Sequence, residues 1–268
     1  MPYADLPGVQ LWYTDSGGSG TPVILLHAVS GNTESWVYQT PVFTKAGYRC
    51  IAYDRKGWGR SRPQPGGEQA GSAAEDLHNL ANHLGLERFH LVGTAAGAAP
   101  ALDYVLSHPE RVRSLVLADC GAGGSEEPEY LEMRRNYRPP EINALPVELR
   151  ELSAGYRATD PAGARRWLDI EHSSRHEERG APGQRARNPM SFATLKTLRV
   201  PTLMLCGDAD LVTPPALMRL SAAHIPDCRF ETVPEAGHAA FWEQPDIWNR
   251  IVIEFIGRHL DPSYSQVI

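Results

Sequence analysis

The stretch with the clearest chemical potential is Gly93-Thr94-Ala95-Ala96-Gly97, a run of small residues between the apolar segment Phe89-His90-Leu91-Val92 and a helical segment that begins near Ala98. A strand that turns tightly into a helix aims residue 95 into a cleft and sets the N–H of Ala96 at a helix N-terminus. There it can stabilise a developing oxyanion. Such a strand–turn–helix is the context that a G-x-S-x-G nucleophile motif requires. Here residue 95 is alanine, which has no group to form an acyl-enzyme. Other candidate residues follow other apolar runs. His27 opens His27-Ala28-Val29-Ser30-Gly31-Asn32. Asp54 to Ser61 reads D-x-x-G-x-G-x-S. Asp119 follows Ser114 to Ala118, Asp208 and Asp210 lie in Gly207 to Pro214, and His238 ends Ala236-Gly237-His238.

Positioning these residues requires a particular alternation of elements. Short apolar runs at Val23–Leu26, Arg49–Tyr53, Phe89–Val92, Ser114–Ala118, Thr202–Cys206 and Arg229–Val233 read as strands. Residues 73–84, 98–108 and 249–260 have helical spacing between them, and Pro109 stops the second of these. Continuous apolar strands alternating with helices predict βαβ units and a mostly parallel sheet buried on both faces. At the N-terminus, Val9–Asp15, the turn Ser16-Gly17-Gly18-Ser19-Gly20 and Val23–Leu26 predict an opening hairpin. Between Gly121 and Leu195 the rhythm changes. This segment is rich in Glu, Arg and Pro, with amphipathic helical stretches at 147–156 and 162–170. Residues 1–120 and 196–268 are therefore expected to form an α/β core, with 121–195 inserted as a helical cap.

Composition narrows the class. The chain has 268 residues, suited to one large α/β domain, and its formal net charge of −6 with both signs dispersed argues against nucleic-acid binding. Cys50, Cys120, Cys206 and Cys228 form no C-x-x-C pair and read as reduced thiols. No apolar run approaches membrane-spanning length and no leader pattern opens the chain, so a cytoplasmic protein is expected. His172 and His176 have i, i+4 spacing beside Glu171 but lack a third ligand, so no metal is expected. No glycine-rich run fits a dinucleotide, and no cofactor is inferred.

Taken together, the motifs resemble the α/β-hydrolase superfamily over essentially the whole chain, with likeness to its single-domain esterases, C–C hydrolases and enol-lactonases. The resemblance implies an α/β-hydrolase fold whose strand-end loops carry nucleophile, acid and base in that chain order, here Ala95, Asp210 and His238. By the same resemblance His238 is the base and Asp210 the carboxylate that orients it. Asp208 in the same loop and Asp119 after its strand are competing acids. The oxyanion donors would be the N–H groups of Val29 and Ala96, although Ala28 replaces a glycine usual in that loop. His27 reads as a loop brace, and His27, Ala28, Thr94, Tyr130 and Trp167 are placed near the substrate. Arg134, Arg135, Arg138, Arg165, Arg166 and Arg175 lie in the expected cap and would suit an anionic substrate.

Three readings of Ala95 stand open. A naturally serine-less enzyme would use the His238–Asp210 base on water or substrate for hydrolysis, C–C cleavage or a lyase reaction on an ester, lactone or other small carbonyl compound. A Ser-to-Ala exchange would have silenced an ordinary serine hydrolase. A third possibility is a non-catalytic, ligand-binding member of the fold. Thr94, Ser30 and Cys120 are substitute nucleophiles to weigh. The expected partner is a small molecule, with the chain a monomer or homodimer.

Overall fold

The computed structural model describes residues 3–64, 71–124, 127–174 and 184–260. Nine strands in these residues form one sheet: β1 (Tyr3–Leu6), β2 (Val9–Asp15), β3 (Thr21–Leu26), β4 (Tyr48–Tyr53), β5 (Arg62–Pro63), β6 (Phe89–Thr94), β7 (Val112–Ala118), β8 (Thr202–Gly207) and β9 (Cys228–Val233). Their order is β1-β2-β4-β3-β6-β7-β8-β9, with β5 against β2. From β4 through β9 along that order every pair is parallel, while β2 runs antiparallel to β1, β4 and β5. This is the mostly parallel sheet of an α/β-hydrolase fold.

The helices are α1 (Thr40–Lys45), α2 (Ala73–His83), α3 (Ala98–Ser107), α4 (Pro128–Tyr137), α5 (Val147–Glu151), α6 (Ala154–Thr159), α7 (Pro161–Ser174), α8 (Phe192–Leu195), α9 (Pro215–Ala222), α10 (Ala240–Glu243) and α11 (Pro245–Gly257). Alternation along the strands divides the core into two layers. Ile24, Leu26, Leu91, Leu115, Leu117 and Met204 point to one face and pack with α2, α3 and α9. Val23, Leu25, Val92, Val116, Leu203 and Leu205 point to the other, where Phe43 of α1 and Trp248, Val252 and Ile256 of α11 cover them. Both faces are dry, so the strands must be apolar at consecutive positions.

Two expectations are corrected. The opening hairpin does not form between β2 and β3. β2 pairs with β4, and β3 lies between β4 and β6. The reason is burial: Val23 to Leu26 are wholly inaccessible and need neighbours on both edges and both faces, whereas the far end of β2 is exposed. The hairpin that does form is β1–β2, turned by Gly8 at φ 73°. The amphipathic stretch 147–156 is likewise not one helix. It breaks at Leu152–Ser153, and the Ser153 hydroxyl caps α6 by accepting the Tyr156 N–H at 3.1 Å. From β7 to β8 the described elements are all helical.

The turn after β6 is held by close backbone approach. A Cβ on Gly97 would sit 2.3 Å from the Leu26 carbonyl oxygen, and one on Gly93 would sit 2.6 Å from the Gly97 carbonyl oxygen. Neither neighbour is a side chain that can swing away. Gly155, by contrast, faces open space within α6. Gly97→Ala is expected to lower unfolding free energy by about 2–3 kcal/mol, while Gly155→Ala raises it by about 0.5–1 kcal/mol. Urea denaturation of the two variants measures both.

Candidate active site

Ala95 sits at the tip of that turn with φ 47°, in the left-handed region where a side chain costs about 1–2 kcal/mol. Among the described residues two other non-glycine residues share this conformation, Asp119 (φ 52°) after β7 and Glu235 (φ 58°) after β9. All three lie at the carboxyl ends of parallel strands. Backbone strain is thus concentrated along the edge where the candidate residues meet, a frequent property of functional sites.

His238 and Asp210 come together there. His238 Nδ1 and Asp210 Oδ2 are 2.8 Å apart, and both residues are buried. The other Asp210 oxygen, Oδ1, accepts the N–H groups of Val212 (2.7 Å) and Thr213 (2.9 Å), which fixes the carboxylate's direction. Nδ1 is committed to Asp210, so Nε2 is left to exchange protons with the cleft that His238 lines. Burial pulls the His238 pKa down, but the charge and hydrogen bond of Asp210, with the charges of Glu151 and Asp119, outweigh it and push it up to about 9. Its folded pKa lies above the ordinary 6.5. The stability it contributes is therefore complete below that value and is lost as pH rises through about 9.

The competing acids are engaged elsewhere. Asp208 accepts the Glu235 N–H at 2.8 Å. Asp119 is wholly buried beneath the turn and accepts from the Thr94 hydroxyl and the Gly207 N–H, each at 3.3 Å. Burial holds its carboxyl well above the usual carboxylate range.

A cleft of about 340 Å³ opens at this edge, lined by Ala95, Ala96, Val29 and His238 together with Arg138, Arg150 and Glu151 from the helical segment. Val29 and Ala96, the two expected oxyanion donors, thus share a cleft with the histidine. The Val29 loop is tied down through its carbonyl, which accepts from Trp58 Nε1 at 2.9 Å. His27 lies below this surface. Its Nε2 accepts the Arg55 N–H at 2.9 Å and its Nδ1 donates to the Ala28 carbonyl at 2.6 Å. Burial and the Arg55 charge hold its pKa well below normal, so it is a neutral brace.

Not every residue expected near the substrate lines the cleft. His27, Ala28 and Thr94 are buried beneath it. Tyr130 fills the space over Gly121 and Gly124 and meets Phe192 edge-on at 6.5 Å. Trp167 packs in the apolar layer with Leu152 and Ile170. Both aromatic rings close the helical segment onto the sheet. Of the expected cap arginines Arg138 reaches the cleft, whereas Arg166 lies over the Trp242 ring at 5.8 Å. Arg175 and His176 fall outside the described residues. His172 is exposed, and no metal-binding group of three exists among the described residues.

Arg150 and Glu151 are the residues that sequence reasoning missed. Glu151 accepts from Ser30 Oγ at 2.6 Å and from Arg150 Nη2 at 3.1 Å, and its carbonyl accepts the Ala239 N–H at 3.2 Å. The cap-forming Ser153 was the available clue to the helix break that presents them. Glu243 completes the arrangement by accepting the N–H groups of Gly237 and Ser153. The substitute nucleophiles are occupied or inert. Thr94 donates to Asp119, Ser30 donates to Glu151, and burial pushes the Cys120 thiol far up.

The family description "alpha/beta hydrolase fold" matches residues 21–143 and 154–245. The chain is 30% identical to the 2-hydroxy-6-oxononadienedioate/2-hydroxy-6-oxononatrienedioate hydrolase 2 of Pseudomonas putida, over 92% of each chain. It is 27% identical to the hydrolase of that name, without the final numeral, from Paraburkholderia phymatum, over 93% of this chain and 92% of the relative. A malate-bound thermophilic esterase from Thermogutta terrifontis superposes with a TM-score of 0.78 at 25% identity, covering 96% of this chain and 99% of the esterase. Sheet order, strained turn and matched family length agree, and the chain belongs to the α/β hydrolase fold family.

Proposed function

We propose that this chain is an enzyme that cleaves an ester, lactone or C–C bond in a small carbonyl compound without a serine nucleophile. The observation that carries the reading is the buried His238–Asp210 pair at 2.8 Å, opening on the same cleft as Ala95 and Ala96. In this reading His238 Nε2 takes a proton from water as the water oxygen bonds to the substrate carbonyl carbon. The carbonyl electron pair moves onto oxygen, where the N–H groups of Val29 and Ala96 receive it. Collapse of the tetrahedral centre breaks the bond to the leaving group, which takes the proton back from His238. Asp210 holds the ring orientation and the imidazolium throughout. Residues 121–195 serve as the cap, delivering Arg138, Arg150 and Glu151 to the roof of the cleft. Relatives named as hydrolases of oxo-dienedioates support a small carbonyl substrate.

The His238 pKa sets the pH dependence. With a value of about 9, only about 1% of molecules hold the base form at pH 7, so the rate rises roughly tenfold per pH unit and levels near 9. Asp210→Asn removes the dominant upward influence, so the limb moves below its wild-type position while the plateau falls by about 10²- to 10⁴-fold. Rate–pH profiles of both proteins on a panel of small esters, lactones and vinylogous diketones measure this. If His238→Ala leaves every detectable turnover unchanged, the enzyme reading fails.

Ala95→Ser restores a hydroxyl beside His238. The serine variant is expected to become labelled by a fluorophosphonate that leaves the wild type unmodified, as read by intact-protein mass spectrometry. Wild-type turnover on its own substrate shows no burst phase, because no acyl-enzyme accumulates.

A further inference from the structure

Ala96 also lines a second cavity, of about 270 Å³, whose walls include Arg55, Lys56, Trp58, Pro100, Gln184 and one carboxylate, Asp103. Arg55 and Lys56 follow β4 at adjacent positions and are only 7% and 8% exposed. The Arg55 guanidinium lies over the Trp58 indole, with Cζ 4.3 Å from the ring centroid. Its Nη2 donates to the Ala28 carbonyl at 3.3 Å, and its Nε has no hydrogen-bond partner. Among the described residues no carboxylate forms a salt bridge with either cation.

The acids on the neighbouring helices are committed elsewhere. Asp76 of α2 accepts from Gln184 Nε2 at 2.6 Å, and it senses the Lys56 charge without pairing with it. Asp103 of α3 accepts the N–H groups of Arg187 (3.0 Å) and Asn188 (2.9 Å). Among the described residues Arg55 is thus buried with no carboxylate in contact, and Lys56 adds a second positive charge beside it. An unpaired buried ion is destabilising, and like charges side by side repel each other. A bound anion removes both penalties. A guanidinium stacked on an aromatic face keeps its edge for a planar, two-oxygen acceptor, and an ammonium beside it adds a point charge.

We propose that this cavity is a binding subsite for the carboxylate of a small organic acid, held by Arg55 and Lys56. It shares the Ala96 wall with the His238 cleft, but it does not depend on the chemistry assigned to that cleft. The test is thermal unfolding of the full chain titrated with succinate against sodium chloride at matched ionic strength. Succinate is expected to give a saturable rise in Tm beyond that of chloride. Lys56→Met is expected to weaken succinate binding about tenfold or more. Arg55→Met gives the same loss of binding, while Arg138→Met and His238→Ala leave it intact. The proposal is overturned if succinate acts no differently from chloride, or if both Lys56→Met and Arg55→Met titrate like the wild type. Loss of binding in Arg138→Met overturns it as well, because the acid then sits in the His238 cleft. Inorganic phosphate that saturates with this variant pattern while succinate does not overturns the assignment to a carboxylate.

Discussion

Gly97 packs so closely against the Leu26 and His27 carbonyls, and Gly93 so closely against the Gly97 carbonyl, that only glycine fits at either position. Between these two glycines Ala95 takes a left-handed conformation and lines the cleft. Because β3 and β6 are neighbours, the Gly97 contact also fixes the distance between the Val29 loop and Ala96. The position of every other candidate group is defined relative to this turn. His238 and Asp210 are brought to it by β8 and β9, and Asp119 is buried under it by β7. The close approaches that hold the turn are made by Gly93 and Gly97 to backbone atoms.

Much of this was legible in the sequence for a physical reason. A parallel strand buried on both faces must be apolar throughout, and Val23–Leu26, Phe89–Val92 and Thr202–Cys206 carry that pattern with turn residues at their ends. The loops after them are where chemistry collects, so His238 and Asp210 could be named before any coordinates. What was not legible depended on pairing partners. β2 alternates and is followed by glycines, which is also the pattern of half a hairpin, and only the burial of β3 decides that β2 joins β4 instead. The break at Leu152–Ser153 was hidden because the apolar periodicity of 147–156 continues across it. Arg150 and Glu151 were hidden with it.

Electrostatically, the two cavities flanking Ala96 differ. In the His238 cleft most charges are paired, His238 with Asp210 and Arg150 with Glu151, which also accepts the Ser30 hydroxyl, while Arg138 donates to the Val212 carbonyl and Asn143. The second cavity carries Arg55 and Lys56, with Asp103 on its wall, and no salt bridge joins them among the described residues. Burial, helped by the Arg55 charge, lowers the pKa of His27 and keeps it neutral. A loop braced by a neutral histidine does not change its charge as the solution is acidified through the usual histidine range.

Glu243 accepts hydrogen bonds from Gly237, beside His238, and from Ser153, at the break between α5 and α6. One carboxylate is therefore shared by the loop that carries His238 and the helical segment beside the cleft. In many layered proteins a surface insertion can be exchanged between relatives with little effect on the scaffold below. Here the insertion and the scaffold meet at a joint made of backbone N–H groups on both sides. A transplanted roof that lacked a matching N–H would leave a buried charge half-satisfied next to the histidine. The helical segment and the histidine loop are consequently tied through one carboxylate, although 90 positions separate Ser153 from Glu243 in the chain.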